Sequence, residues 1–156
     1  MPNNELQFDL LVVDDDPRWR DIILASVDGI YSYDISNSYE ETIQKIENNR
    51  YKIICVDLKI LRKGTSSIAN GRRLLLFLRK NYSGLPVILI SGFIIGNPNK
   101  YIEEYPNIKK ILIKGESDDF IEHLEDSIKD IYFSLLQDKK GVQPIEEKPE
   151  NNGTFD

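Results

Sequence analysis

Residues 10–19 read LLVVDDDPRW: four apolar residues, three acids, a proline and two large side chains. The apolar run begins at residue 8 (FDLLVV, 8–13) and ends where the acids begin. A near-continuous apolar run is the pattern of a parallel strand buried on both faces. Asp16 suits the N-cap of a following helix, and Pro17 suits its first turn. The stretch therefore reads as strand, acidic turn, helix. Three more apolar runs stop at a polar residue in the same way. Residues 51–56 (YKIICV) run into Asp57, residues 86–90 (PVILI) into Ser91, and residues 110–113 (KILI) into Lys114. Ligands of open α/β sheets bind beyond the carboxyl ends of the strands. Neighbouring strands would thus gather carboxylates, a hydroxyl and an ammonium in one crevice.

Helix signals fill the intervals between these runs. Trp19, Ile22, Ile23, Ser26 and Val27 mark a mostly apolar helical face. Residues 31–35 form a shorter, weaker second strand. Residues 38–41 (SYEE) fit a capping box, and Ile43 and Ile46 continue that helix. Residues 59–70 read as a polar loop before a helix carrying Leu74, Leu75, Phe77 and Leu78. Asn97 and Pro98 begin a short helix that Pro106 should end. Ser117, Asp118 and Asp119 open the last helix, where Phe120, Ile121, Leu124, Ile128, Ile131 and Leu135 have helical spacing. The alternation predicts an α/β fold, a doubly wound parallel sheet of five strands flanked by about five helices. One domain is expected over residues 1–137, with a flexible polar tail over residues 138–156.

Composition narrows the function. The chain has 156 residues, 40% of them hydrophobic, which suits one globular core. A net charge of −6 argues against a nucleic-acid-binding surface. No apolar stretch approaches a membrane span, and the opening MPNNELQFD lacks a signal-peptide pattern, so a cytoplasmic location is expected. Cys55 is the only cysteine and lies within an apolar run, as a packing residue would.

Carboxylates crowded at strand ends stay ionised together only when a cation neutralises them. Oxygen ligands without nearby His or Cys favour a hard ion, and Mg²⁺ commonly works with one or two carboxylates plus phosphate oxygens. A carboxylate can also act as a nucleophile and form an aspartyl-phosphate. Lys114 would offer positive charge to phosphoryl oxygens and Ser91 a hydroxyl donor. Phosphoryl transfer needs mostly positioning and charge neutralisation, so this short set suffices.

The segments LLVVDDDPRW, IICVDLKI, VILISG and ILIKG, in this order, resemble the receiver domain of bacterial two-component response regulators. The resemblance covers residues 8–136 and implies a flavodoxin-like sheet of order 2-1-3-4-5. It implies that Asp57 accepts a phosphoryl group from a sensor histidine kinase or histidine phosphotransfer protein. It further implies that Asp14, Asp15, Asp57 and the backbone carbonyl of Lys59 hold Mg²⁺, with Mn²⁺ as a possible substitute. Ser91 and Lys114 would then grip the phosphoryl group. Output would pass through protein contacts to a downstream partner, with neither nucleic acid nor membrane involved.

The chain also departs from that pattern. Leu61 replaces a proline that usually follows the acceptor, and Gly71 comes several residues later than the usual glycine. Residues 61–70 (LRKGTSSIAN) thus resemble an insertion beside the site. Gly115 replaces the proline that usually follows the lysine, and Ile111 stands where many members carry an aromatic switch residue. In the family, side chains two positions after the acceptor and two after the Ser/Thr govern acyl-phosphate lifetime. Here they are Lys59 and Phe93, neither able to orient a water, so slow hydrolysis is expected.

Two other functions compete. The same fold could serve as a pseudo-receiver, an interaction module that is not phosphorylated. Asp14 and Asp16 also form an Asp-x-Asp unit similar to that of haloacid dehalogenase-like phosphatases, with Asp14 as nucleophile. Arg18 stands where that family has Thr or Val. Neither G-x-G-x-x-G nor a P-loop occurs. Simpler readings apply elsewhere. Asp16 is a helix cap, His123 a solvated helix position, and Tyr31, Tyr33 and Tyr39 pack at the sheet edge. The basic residues Lys59, Arg62, Lys63, Arg72, Arg73, Arg79 and Lys80 form a mostly solvated face.

Overall fold

The first apolar run becomes β1 (Gln7–Val13), an interior strand of the sheet. It lies parallel to both β2 (Tyr33–Ser36) and β3 (Arg50–Asp57), with Val13 opposite Ser36 on one side and Val56 on the other. A computed structural model describes residues 5–92, 94, 96–115 and 119–139. Phe93, Ser117, Asp118 and the tail from residue 140 onward lie outside the described residues.

Five strands form the main sheet in the order β2-β1-β3-β6-β7, where β6 is Val87–Ser91 and β7 is Ile108–Ile113. All pairs are parallel, with Asp57 opposite Ile90 and Ser91 opposite Ile113. This is the expected 2-1-3-4-5 order, because a separate hairpin supplies β4 (Ile60–Arg62) and β5 (Thr65–Ser67) between the third and fourth sheet strands.

Period-two alternation sends the strand side chains into two cores. Leu10, Val12, Ile53, Cys55, Ile88 and Ile90 pack on one face with α1 (Pro17–Val27) and α5 (Phe120–Lys139). Leu11, Val13, Ile54, Val56, Val87 and Leu89 pack on the other. There they meet α2 (Tyr39–Asn48), α3 (Ile68–Asn81) and α4 (Pro98–Glu104). Burial pushes the Cys55 thiol up to about 12, so it stays protonated as a packing group. No helix among the described residues is long and apolar enough to cross a membrane.

The caps follow the sequence closely. Asp16 Oδ1 accepts from the Arg18 N–H at 3.0 Å. Ser38 Oγ accepts from the Glu41 N–H at 3.1 Å, but Glu41 reaches back to the Asn37 N–H rather than to that of Ser38. Helix α4 ends before Pro106, as expected.

Several expectations change. The segment 59–70 is not a plain loop: it holds the antiparallel β4–β5 hairpin and the start of α3, with Ser67 as the N-cap. Strand β2 starts at Tyr33, two residues late, because Ile30 and Tyr31 still bond back to the Val27 carbonyl. Ile22 is exposed on α1. Tyr39 opens α2 and packs into a core, and Tyr31 stacks on Tyr132 of α5, so only Tyr33 lies on the edge strand. Arg62, Arg72 and Arg79 lie over the rings of Tyr39, Tyr101 and Tyr105 and are not merely solvated.

Candidate functional site

The parallel register brings every strand-end polar group to one end of the sheet. Asp14 follows β1, Asp57 closes β3, Ser91 closes β6 and Lys114 follows β7. The Lys114 N–H donates to the Ser91 carbonyl at 2.8 Å, which continues the β6–β7 pairing one step further and fixes the lysine backbone there. Asp14, Asp57, Ser91 and the Lys114 side chain are all buried. Asp15 is half-buried. A cavity of about 390 Å³ opens over them, lined by Asp15, Asp57, Lys59, Ser66, Ser91 and Lys114, with Trp19 and Asp16 at its side.

Lys114 joins the acids. Its ammonium lies 2.8 Å from Asp57 Oδ2 and 2.9 Å from Asp14 Oδ2. Asp57 Oδ1 accepts from the Lys59 N–H at 3.1 Å. Lys59 thus reaches the cluster through its backbone, and its side chain is exposed. Asp14 Oδ1 accepts from the Asp16 N–H at 2.9 Å. Asp15 Oδ2 accepts from the Ser66 hydroxyl at 2.7 Å.

Carboxylate oxygens of Asp14, Asp15 and Asp57 lie within 4.8 Å of one another, close enough to share one metal ion. Three carboxylates against the one Lys114 ammonium leave two negative charges, which a divalent cation would neutralise. Asp14 Oδ2, fully buried, has no well-directed hydrogen bond despite the nearby ammonium. These donors fit Mg²⁺: all are oxygens, the set is acidic, and neither His nor Cys belongs to it.

The titration behaviour has the same origin. Burial pushes the Asp57 carboxyl up to about 6; the Lys114 contact opposes this and the Asp14 charge adds to it. Burial disfavours the Lys114 ammonium, but its bonds to Asp57 and then Asp14 outweigh that and hold it above the ordinary lysine range. The Asp57 shift is first an effect of enclosure, and the Lys114 shift an effect of the two acids that enclosure places beside it.

Asp14, Asp15, Asp57, Lys59, Ser91 and Lys114, the site candidates read from sequence, lie together here. The Asp-x-Asp reading fares less well, because Asp16 caps α1 and stands outside the acidic cluster. His123 is exposed on α5. Sequence reasoning missed Ser66, whose approach to Asp15 depends on the hairpin turning back. It also missed Trp19 as a wall of the cavity, with the Lys114 ammonium 5.4 Å from its ring centroid. The aromatic beside the acid run was the available signal for Trp19.

No protein-family model matches the sequence, and no curated protein matches it. Solved structures do match in fold. A CheY-like response regulator receiver domain from Methanospirillum hungatei superposes with a TM-score of 0.62 at 20% identity, over 84% of this chain and 99% of that one. A Francisella response regulator receiver domain gives 0.65 at 23% identity, over 82% and 98%. The response regulator TrrA from Thermotoga maritima, solved in complex with Mg²⁺ and BeF, gives 0.60 at 20% identity, over 81% and 98%. Each of these receiver structures is matched over nearly its whole length, and the chain, with its 2-1-3-4-5 parallel sheet, therefore has the fold of the response regulator receiver domain.

Proposed function

We propose that the chain is a receiver-type signalling protein that takes a phosphoryl group on Asp57 from the phosphohistidine of a histidine kinase or histidine phosphotransfer protein. The observation that carries this reading is the placement of Asp57. It is buried at the end of β3, 2.8 Å from the Lys114 ammonium and within 4.8 Å of the other two acids. In the transfer, an Asp57 oxygen bonds to phosphorus while the phosphorus–nitrogen bond breaks, and the imidazole nitrogen leaves with the bonding pair. Asp14, Asp15, Asp57 and the Lys59 carbonyl would hold Mg²⁺, or Mn²⁺ in its place. The ion supplies neutralisation of the phosphoryl oxygens and the carboxylates. Lys114 stands ready to pair with a phosphoryl oxygen, and Ser91, lining the same cavity, to donate a hydroxyl hydrogen bond. The role is that of a phosphoacceptor rather than a turnover enzyme, signalling through protein contacts.

The test is transfer from a phosphorylated histidine phosphotransfer protein. Label should appear on the chain with Mg²⁺ present and vanish with chelator or in Asp57→Asn. Label that persists in Asp57→Asn would refute the assignment.

The hairpin beside the site, which already engages Asp15, favours a second reading as a pseudo-receiver interaction module. Mg²⁺ binding that is lost in Asp15→Asn argues for the first reading; no Mg²⁺ binding argues for the second.

A further inference from the structure

The hairpin that replaces the expected loop is a built element. Leu61 bridges to Ser38, the Lys63 N–H donates to Glu40 Oε2 at 2.9 Å, and the Arg62 guanidinium lies over the Tyr39 ring. From inside, buried Asn70 donates to the Ile60 carbonyl at 2.9 Å and the Thr65 carbonyl at 2.7 Å, closing both strands. Ser66 stands on β5 of this anchored hairpin, lines the cavity and donates to Asp15 Oδ2. Among the described residues, Ser66 is the side chain that hydrogen-bonds Asp15. Asp15 itself is only half-buried, so without a partner its carboxylate would be free to turn.

We propose that Ser66 is a positioning residue for the cation site, holding Asp15 by one oxygen and leaving the other for Mg²⁺. This rests on the reading of Asp14, Asp15 and Asp57 as an Mg²⁺ site. The physical reason is general: carboxylate ligands are oriented by outer hydrogen bonds, and losing one typically weakens metal binding about 10- to 100-fold. Ser66 lies in the segment that departs from the receiver pattern, so its contribution belongs to this chain's own hairpin.

The experiment is a titration with MgCl₂ at constant ionic strength, read by the fluorescence of Trp19, the single tryptophan, which walls the same cavity. Thermal stabilisation by Mg²⁺ provides a parallel readout. Ser66→Ala should raise the Mg²⁺ dissociation constant about 10-fold. Ser66→Thr, which keeps the hydroxyl and suits a strand, should restore it. Equal Mg²⁺ affinity in wild type and Ser66→Ala overturns the positioning role while leaving the cation site intact. Failure of Ser66→Thr to restore binding overturns it as well. A wild-type chain that binds no Mg²⁺ by either readout overturns both this role and the site it depends on.

Discussion

Gly71 sets the tightest steric condition near the site. A Cβ built there would lie 1.8 Å from the Leu58 carbonyl oxygen, a backbone atom immediately after Asp57 and Leu58's Cα. No side-chain rotation relieves such a contact, so Gly71→Ala must displace either α3 or the backbone that carries Asp57. It should cost about 3 kcal/mol, measured by urea unfolding. An unchanged unfolding midpoint would show that α3 does not press on this segment. Sequence reading noted only that this glycine came late, since a contact with a particular carbonyl leaves no trace in composition. Asp57, by contrast, was legible, because an apolar run that ends in an acid fixes both strand and strand end. Its raised pKa of about 6, due first to burial, gives a pH prediction. Mg²⁺ requires the carboxylate, and the proton competes for it. Mg²⁺ affinity should therefore be level above pH 6 and fall progressively below it. A titration series from neutral to acid pH checks this, and affinity that holds steady through that range would contradict it.

The hairpin was illegible at the element scale for identifiable reasons. Each of its strands has three residues, too few for alternation to show. Its turn, Lys63–Gly64, takes positive φ at both residues (51° and 79°), the geometry of a tight hairpin turn that Asn-Gly usually announces. Helix α3 was found from its leucines, but its first residues looked like loop because they follow the polar run Thr65–Ser67 and include Asn70 and Gly71, weak helix formers. The hairpin's stability rests on Asn70. Asn70→Ala leaves the Ile60 and Thr65 carbonyls without that donor and should cost about 2 kcal/mol of stability. Amide exchange should accelerate in residues 60–67 more than in the central strands. Uniform acceleration would mean that the hairpin does not move as a separate unit. Long elements were legible because burial on both faces imposes long apolar runs, as in β1, β3 and β6.

At the scale of the whole molecule, a parallel sheet collects the ends of four strands, and the chain places its acids and its lysine there. The alternation of runs and helices was enough to read a doubly wound sheet. Strand order was not: only the resemblance supplied it, because nothing in a single strand's residues names its neighbours. The site now carries excess negative charge in an enclosed space, so a divalent cation should stabilise the fold. Mg²⁺ should raise Tm in wild type and leave Asp15→Asn nearly unchanged, checked by thermal unfolding across a range of Mg²⁺ concentrations. The central claim is that Asp57 is a phosphoacceptor, and intact mass after incubation with Mg²⁺ and acetyl phosphate tests it most directly. Wild type should gain one phosphoryl group and Asp57→Asn none. Equal mass gains for the two proteins, whether both take up the group or neither does, would contradict it.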